Sequence, residues 1–463
     1  MVARPSSQSG WKSEMTNVRL AMQAGQYLAA NEAIERIEAE HYTDEEAMLG
    51  IGECRTHLGQ HVLAERACRA ALKVAPNSTR AAYALASVLV ATGDIDEADT
   101  LYSRVIAESP RDWDAWTNRS TLRTATPERN HVSAIQQALR AAGNNPDAAV
   151  ALGYALAKEF EDLGEFDAAF THLANAAQIR RSRMAYKVDA DVRTMAAIAD
   201  AFCVKRLAKT PLTVDEKGPI FVLGLPRSGT TLVDRILASH ADITSLGELQ
   251  DFPLALMQTN SDVSDKTSLI NNSAQMDHAH LGSEYLRRIK GLSVAPGFVI
   301  DKAPLNFLYI GLIALALPNA RIVHVRRGAM DSSYAMFKSL FRMGYPFSYS
   351  LTDLAAYRIA YADLMAHWRH ALPNRMVEID YERLVRNPED ETRRTLNELG
   401  ISWDEACLSP HRNASPVATA SAVQVRAPIH DRSVGLWRKY EQHLAPLAAA
   451  LTAANISLET GGT

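Results

Sequence analysis

A short apolar run, Ile220 to Leu223, leads through Gly224 into Pro226-Arg227-Ser228-Gly229-Thr230-Thr231, after which Leu232, Ile236 and Leu237 recur at helical spacing. A strand that turns tightly into a helix start aims unsatisfied N–H groups and the positive end of a helix dipole at one point, where an anionic phosphate or sulfate group docks. Gly229 lets the backbone come close to such an anion, Arg227 offers a planar fork, and Thr230 and Thr231 add hydroxyl donors, with Ser228 inside the same turn. The spacing from Gly224 to Gly229 imitates the start of the nucleoside triphosphate loop GxxxxGK[ST], but Thr230 stands where that loop has lysine. No metal-binding aspartate closes a later strand, so an ATP-dependent kinase is the weaker of two readings of the loop and stays open.

Other short apolar runs alternate with helical patterns along the same half of the chain: Phe298 to Ile300, Ile322 to Val325 and Met376 to Ile379. Strands separated by helices in this order predict right-handed crossovers and a parallel sheet, whose ligands gather beyond the carboxyl ends of the strands. Lys302 follows one such strand end, Arg326 and Arg327 follow the run RIVHV, and Tyr381 follows VEI.

These segments resemble a known family. GLPRSGTTLVDRILASH, SLGELQD, IDKAPLNFLYIG, RIVHVRRGAMDSSYAMF, VEIDYERLV and SAVQVRAPIHDRSVGLWRKYE, spread over residues 219 to 445, are similar to the sulfotransferases and especially to the tyrosylprotein sulfotransferase branch. The resemblance implies a P-loop-like α/β sulfotransferase fold and 3′-phosphoadenosine 5′-phosphosulfate (PAPS) as co-substrate, with no metal. It implies that Glu248 is the catalytic base, that Lys302 neutralises charge on the leaving oxygens, and that Arg227 acts in both binding and catalysis. A carboxylate serving as base would be shielded from water. One of Arg326 and Arg327 would grip the 3′-phosphate, and Arg327 is favoured because the family's arginine lies eight residues before a serine that touches the same phosphate. That serine slot holds Ala335 here, which puts the hydrogen-bond set in question; Ser332 or Ser333 could replace it only from a displaced helix. Tyr381 and Ser421 fall at cofactor-contacting positions, and Arg426 lies close enough to add charge.

Ahead of this half lies a repeat. Gly25, Gly59 and Gly93 stand 34 residues apart, each followed five residues later by alanine, and Pro76 and Pro110 keep the same step. Glycine suits a tight turn, alanine a close helix approach and proline the end of a helix, so each unit reads as a helical hairpin resembling the tetratricopeptide repeat. A further unit at Gly164 and Ala169 is out of register with Gly93, which predicts a degenerate unit between them. The expected organisation is an all-α repeat solenoid over 15–185, a helical end and linker over 186–217, and the sulfotransferase domain over 218–455. The repeats would offer a surface to a protein or peptide, or serve as a scaffold.

The formal net charge of −4 favours neither nucleic acid nor an anionic membrane as partner. Cys54, Cys68, Cys203 and Cys407 lack metal or disulfide spacing, the N-terminus lacks a signal-like apolar run, and no stretch is long enough to span a membrane, so a cytoplasmic protein is expected. His240, toward the end of the first helix after the loop, reads as a carbonyl cap and not a base, and His324, inside an apolar strand, as a packed residue with satisfied nitrogens. The polar stretch 257–278 and the helical segment 353–370 are candidate walls of the acceptor cleft. The expected activity is sulfuryl transfer to a hydroxyl, with protein tyrosine ranked first; a kinase and a non-catalytic repeat adaptor with a decayed second domain are the alternatives.

Overall fold

A computed structural model describes residues 10–208, 218–260, 264–292, 297–341, 344–413, 415–417, 419 and 421–459. Ten helices make up the first part: α1 Gly10–Gln23, α2 Tyr27–His41, α3 Glu45–His57, α4 His61–Val74, α5 Thr79–Thr92, α6 Ile95–Glu108, α7 Trp113–Ser120, α8 Val132–Ala142, α9 Pro146–Asp162 and α10 Phe166–Ser182. The hairpin markers act as their chemistry requires. Gly25, Gly59, Gly93 and Gly164 all have positive φ, and Ala30, Ala64 and Ala98 are fully buried where the paired helices meet. Asp44, Ser78, Asp94, Asp112 and Asn145 cap helix starts by accepting an N–H three residues on, each such cap contributing about 1 kcal/mol. The fourth unit is irregular: α7 has only 8 residues, and a long connection, 121–131, separates it from α8.

The helices α11 Val188–Ala201 and α12 Val204–Leu207 lead to the second part; the rest of the expected linker, 209–217, lies outside the described residues. Five parallel strands follow, β1 Ile220–Gly224, β2 Ile243–Ser245, β3 Phe298–Lys302, β4 Arg321–Arg326 and β5 Met376–Asp380, in the order β2-β3-β1-β4-β5. The strand β2 has three residues and no apolar run, so periodicity gave it no signal. The chain moves from β1 to one side of the sheet through β2 and β3 and to the other through β4 and β5, which places the crevice at the carboxyl end of β1. Among the helices covering the sheet are α13 Thr230–Leu237, α14 Asp251–Thr259, α15 Lys266–Ser273, α16 His278–Lys290, α17 Ile310–Ala316, α18 Ala329–Phe337 and α19 Leu351–Ala371. The central strand β1 is buried along its whole length, as a sheet covered on both faces requires.

The repeats clasp the second part at three places. Tyr27 donates to Asp251, and Arg288 donates to the Gln23 carbonyl at 3.1 Å. Near the middle, Arg426 donates to the Ala91 carbonyl at 2.6 Å and its guanidinium lies against Gly93, where a Cβ would sit 2.6 Å from Cζ. At the far end Tyr154 donates to the Phe337 carbonyl at 3.2 Å, and Phe170 stacks on His443 at 4.3 Å. Tyr154, Phe170 and Leu173 of the last repeat share one apolar cluster with Phe337, Tyr440 and Leu444.

Candidate active site

A cavity of about 840 Å³ opens at the carboxyl edge of the sheet. Arg227, Gly229, Thr230 and Thr231 line it from the loop between β1 and α13; Arg327 and Tyr381 line it from the ends of β4 and β5. Arg227 holds a left-handed backbone, φ 65°, a conformation that costs a non-glycine residue about 1–2 kcal/mol and that marks a loop held by its surroundings. Its guanidinium donates to Ser421 Oγ at 2.5 Å and to Gln424 Oε1 at 3.2 Å. Arg327 donates to the Arg227 carbonyl at 3.0 Å and to the Ser433 carbonyl at 2.7 Å. The Tyr381 ring stands beside Arg327 in the cavity wall. It lies 4.7 Å from the Arg327 guanidinium, and its hydroxyl is 3.0 Å from Ser433 Oγ. Gly229, φ 106°, is required at the loop's apex, because a Cβ there would lie 2.4 Å from that ring.

Neither guanidinium pairs with a carboxylate among the described residues, and the Nε of each is buried without a partner. Burial and then the neighbouring Arg327 cation pull the Arg227 pKa down to about 10. Two converging cations without a counter-charge make the cavity electrostatically suited to an anion that supplies acceptor oxygens. The N-terminal N–H groups of α13, which have no partner within their helix, face the same loop.

On the other flank, Lys302 at the end of β3 is buried and ion-paired with Glu248. The pairing follows from the β2–β3 ladder: Leu246 donates to the Ile300 carbonyl at 2.9 Å and Lys302 donates its N–H to the Gly247 carbonyl at 3.0 Å, so the turn after β2 delivers Glu248 beside the lysine. Glu248 is not shielded as expected; its side chain is 42% exposed, because the turn stands at the cavity rim. Asp234 on α13 lies behind the pair, buried and with Oδ1 unpartnered, and burial raises its pKa despite the nearby Lys302.

Four expected contacts are absent from the cavity wall: Lys302 is buried behind Glu248, and Arg326, Arg426 and Ser228 lie elsewhere. Arg326 turns to the opposite face and meets Glu378 at 3.3 Å and Asp380 at 3.8 Å, because side chains at the end of a strand alternate. Arg426 is committed to Ala91 of the repeats. Ser228 is buried behind the loop, with its hydroxyl beside Gly224. Ser332 and Ser333 do not stand in for the serine missing at Ala335. Both are fully buried, and Ser332 Oγ accepts from Arg358 at 2.7 Å. The same arginine donates to the Arg327 carbonyl at 3.3 Å. The helix α19, expected to wall the cleft, contributes nothing to the cavity lining, and within the polar stretch 257–278 the residues 261–263 lie outside the described residues.

His240 Nδ1 accepts the Asp242 N–H at 3.0 Å, which leaves its Nε2 to donate to the Ser402 carbonyl at 3.0 Å. His324 lies between Glu378, at 3.0 Å, and the Tyr361 hydroxyl, at 2.6 Å, and burial lowers its pKa. Both are structural, as their sequence positions indicated.

Thr419, Gln424, Arg432 and Ser433, to which the sequence reading assigns no separate role, form one wall of the cavity. Asp331 holds that wall by accepting the Gly435 N–H at 2.6 Å and the Trp437 N–H at 3.3 Å. Gln424, Arg432 and Ser433 had only membership of the segment SAVQVRAPIHDRSVGLWRKYE as a local signal, and Thr419, two residues before it, had none.

The sulfotransferase family model matches residues 219–405, and tetratricopeptide repeat models match 15–79 and 55–118. An uncharacterised protein of Aquifex aeolicus is 28% identical over 389 residues, 79% of this chain and 49% of that protein, so the chain spans about half of that relative's length. A putative protein-tyrosine sulfotransferase of Caenorhabditis briggsae is 27% identical over 228 residues, 47% of this chain and 80% of that one. The protein-tyrosine sulfotransferase of Drosophila melanogaster is 25% identical over 242 residues, 47% of this chain and 46% of that one.

Proposed function

We propose, for a chain whose residues 219–405 belong to the sulfotransferase family and whose N-terminal helices are tetratricopeptide repeats, that it transfers the sulfuryl group of PAPS to a phenolic hydroxyl, such as protein tyrosine. The observation that carries this reading is the pair of guanidiniums, Arg227 and Arg327, which line the cavity with no carboxylate partner among the described residues and with each Nε buried and unpartnered. A nucleotide with phosphate at both its 3′ and 5′ positions supplies two anionic ends for two cationic sites. The Tyr381 ring, which lines the same cavity, supplies an aromatic surface to the nucleotide.

In the proposed reaction Arg227 and the N–H groups at the start of α13 bind the 5′-phosphosulfate, and Arg327 binds the 3′-phosphate. The acceptor oxygen attacks sulfur as Glu248 takes the hydroxyl proton; the bond between sulfur and the bridging oxygen breaks, and 3′-phosphoadenosine 5′-phosphate (PAP) leaves with that oxygen's negative charge. Lys302, paired with Glu248 at rest, exchanges the carboxylate for the leaving oxygen as Glu248 becomes protonated. Leu305, Phe341 and Tyr345 line the cavity near Glu248 and favour an aromatic acceptor.

Thermal unfolding with PAP, with adenosine 5′-monophosphate (AMP) and with ATP plus magnesium tests the donor assignment, because a ligand that binds only the folded state raises its stability. PAP is expected to raise Tm most. Equal shifts with PAP and AMP, or a larger one with ATP and magnesium, refute it.

A further inference from the structure

The cavity is not walled by the sulfotransferase domain alone. Thr124, from the long connection between α7 and α8, lines it together with Tyr334 and Lys338 of the second domain. The connection is the place where the regular step of the repeats is lost, so the irregular unit is the one that reaches the site.

The last turn of α9 fixes this arrangement from both sides. Lys158 donates to the Arg123 carbonyl, Asp162 accepts the Ala125 N–H at 2.7 Å, and the two side chains pair with each other at 2.6 Å. The residues on either side of Thr124 are therefore tied down, while Thr124 itself is exposed to the cavity mouth. Glu161, on the same turn, accepts from Tyr334 at 2.6 Å and Tyr440 at 2.9 Å and pairs with Lys338 at 2.5 Å. Positions 158, 161 and 162 share one helix face, which is why one turn can hold both walls. Burial works against charge on Glu161, but Lys338 and the two tyrosyl donors outweigh it and hold its pKa below the ordinary value. Such a buried carboxylate is stable only while its partners stay in place, so Lys338 and Tyr334 are held where the repeat helix puts them.

We propose that the repeat domain selects the acceptor in cis: Thr124 and the Glu161-positioned Lys338 form the rim past which a peptide-borne phenol reaches Glu248. This rests on the reaction proposed above. Glu161 is a positioning residue, and Thr124 is a specificity-determining one. A free phenol passes the rim with little contact, whereas residues flanking a tyrosine must lie across it.

Transfer from radiolabelled PAPS to 4-nitrophenol and to a tyrosine-containing nonapeptide tests the rim, with PAP affinity measured by calorimetry on the same full-length proteins. Thr124→Trp places an indole at an exposed position on the cavity rim. Its selectivity, kcat/KM for the peptide over that for 4-nitrophenol, is expected to fall at least about fivefold. Glu161→Gln keeps acceptors for both tyrosyl hydroxyls but removes the charge facing Lys338. It is expected to raise the peptide KM at least about fivefold while lowering kcat by a smaller factor. A smaller change of selectivity in Thr124→Trp, or a fall in PAP affinity that matches the loss of peptide turnover, overturns the inference and leaves the proposed reaction standing. A peptide KM that does not rise in Glu161→Gln overturns the positioning role. Wild-type protein that binds PAP but labels neither acceptor refutes the phenolic acceptor and the rim together, and wild-type protein that does not bind PAP refutes the donor assignment itself.

Discussion

The assignment of Arg327 to the 3′-phosphate can be tested through Arg327→Met, which removes the cation but keeps an unbranched apolar stem. Two consequences separate by ligand. The variant loses the hydrogen bonds to the Arg227 and Ser433 carbonyls, at 3.0 Å and 2.7 Å, and so loosens the loop that either adenosine nucleotide must meet. A hydrogen bond of this kind is worth about 1 kcal/mol, which lowers affinity for any ligand of the loop about fivefold. A nucleotide with a 3′-phosphate loses in addition a buried charge-assisted contact, worth about 2–5 kcal/mol, or about 30-fold to a few thousand-fold. Calorimetric titration of wild type and variant with PAP and AMP measures both. AMP affinity is expected to fall about fivefold and PAP affinity at least about 150-fold, so the preference for PAP shrinks at least about 30-fold. Arg326→Met, on the other face of the sheet beside Glu378, is the comparison and should leave that preference within about twofold. Equal losses for PAP and AMP in Arg327→Met would refute the assignment, because they would show that the residue serves only to hold the loop.

Glu248→Gln is expected to retain PAP affinity within about threefold and to lower kcat by about 100-fold or more, the usual contribution of a general base; a variant with normal turnover removes Glu248 from that role. Gly93→Ala and Gly59→Ala form a matched pair. Both glycines have positive φ, at 105° and 71°, but a Cβ at Gly93 meets the Arg426 guanidinium at 2.6 Å whereas one at Gly59 meets nothing within 4 Å. Denaturant unfolding should show Gly93→Ala the more destabilised by about 1–2 kcal/mol, and equal losses would mean that the clasp at Ala91 contributes nothing. Burial raises Asp301 to a pKa of about 7 and Glu382 likewise to about 7, both above the unfolded carboxylate range. The folded protein therefore holds protons that the unfolded chain has already released, so stability declines as pH rises from about 4 to about 7. Glu378 acts oppositely. His324, Arg326 and Arg369 outweigh its burial and hold it at about 2, so its contribution is lost as pH falls through the acid range. Calorimetric Tm should be higher at pH 5 than at pH 8 and drop again below pH 4, and Asp301→Asn should flatten the alkaline limb; a Tm rising from pH 5 to pH 8 contradicts this.

Much of the architecture was legible because it is written in local pattern. Backbone constraints at single residues fixed the repeat turns: Gly25, Gly59 and Gly93 recur at one period, and each adopts positive φ. Short, mainly apolar runs of three or four residues marked four of the five strands, and the loop after the first of them carried its own signature of proline, glycine and hydroxyls. Lys302 and the pair Arg326 and Arg327 stood out as candidates for the same reason, since a residue at the carboxyl end of a parallel strand is placed by the strand itself, while the preference for Arg327 came from the resemblance.

Only the tertiary structure decided which groups share the cavity. Arg326 and Arg327 are adjacent and chemically identical, and the choice between them rests on which face of β4 looks toward β5's Glu378 and which toward the loop at Arg227. The same loop resemblance that brought Ser421 and Arg426 together on paper could not show that Arg426 reaches back to Ala91, 335 residues earlier. Thr124 carried no signal at all, because nothing in a threonine after a short helix anticipates a wall shared with Lys338. Periodicity and turn chemistry depend on neighbours a few residues apart, and so the sequence alone determined the elements and the residues at their ends. Contacts between distant segments depend on how whole faces are packed, and that is why the direction of each guanidinium and the reach of the repeats into the site appear only in the folded chain.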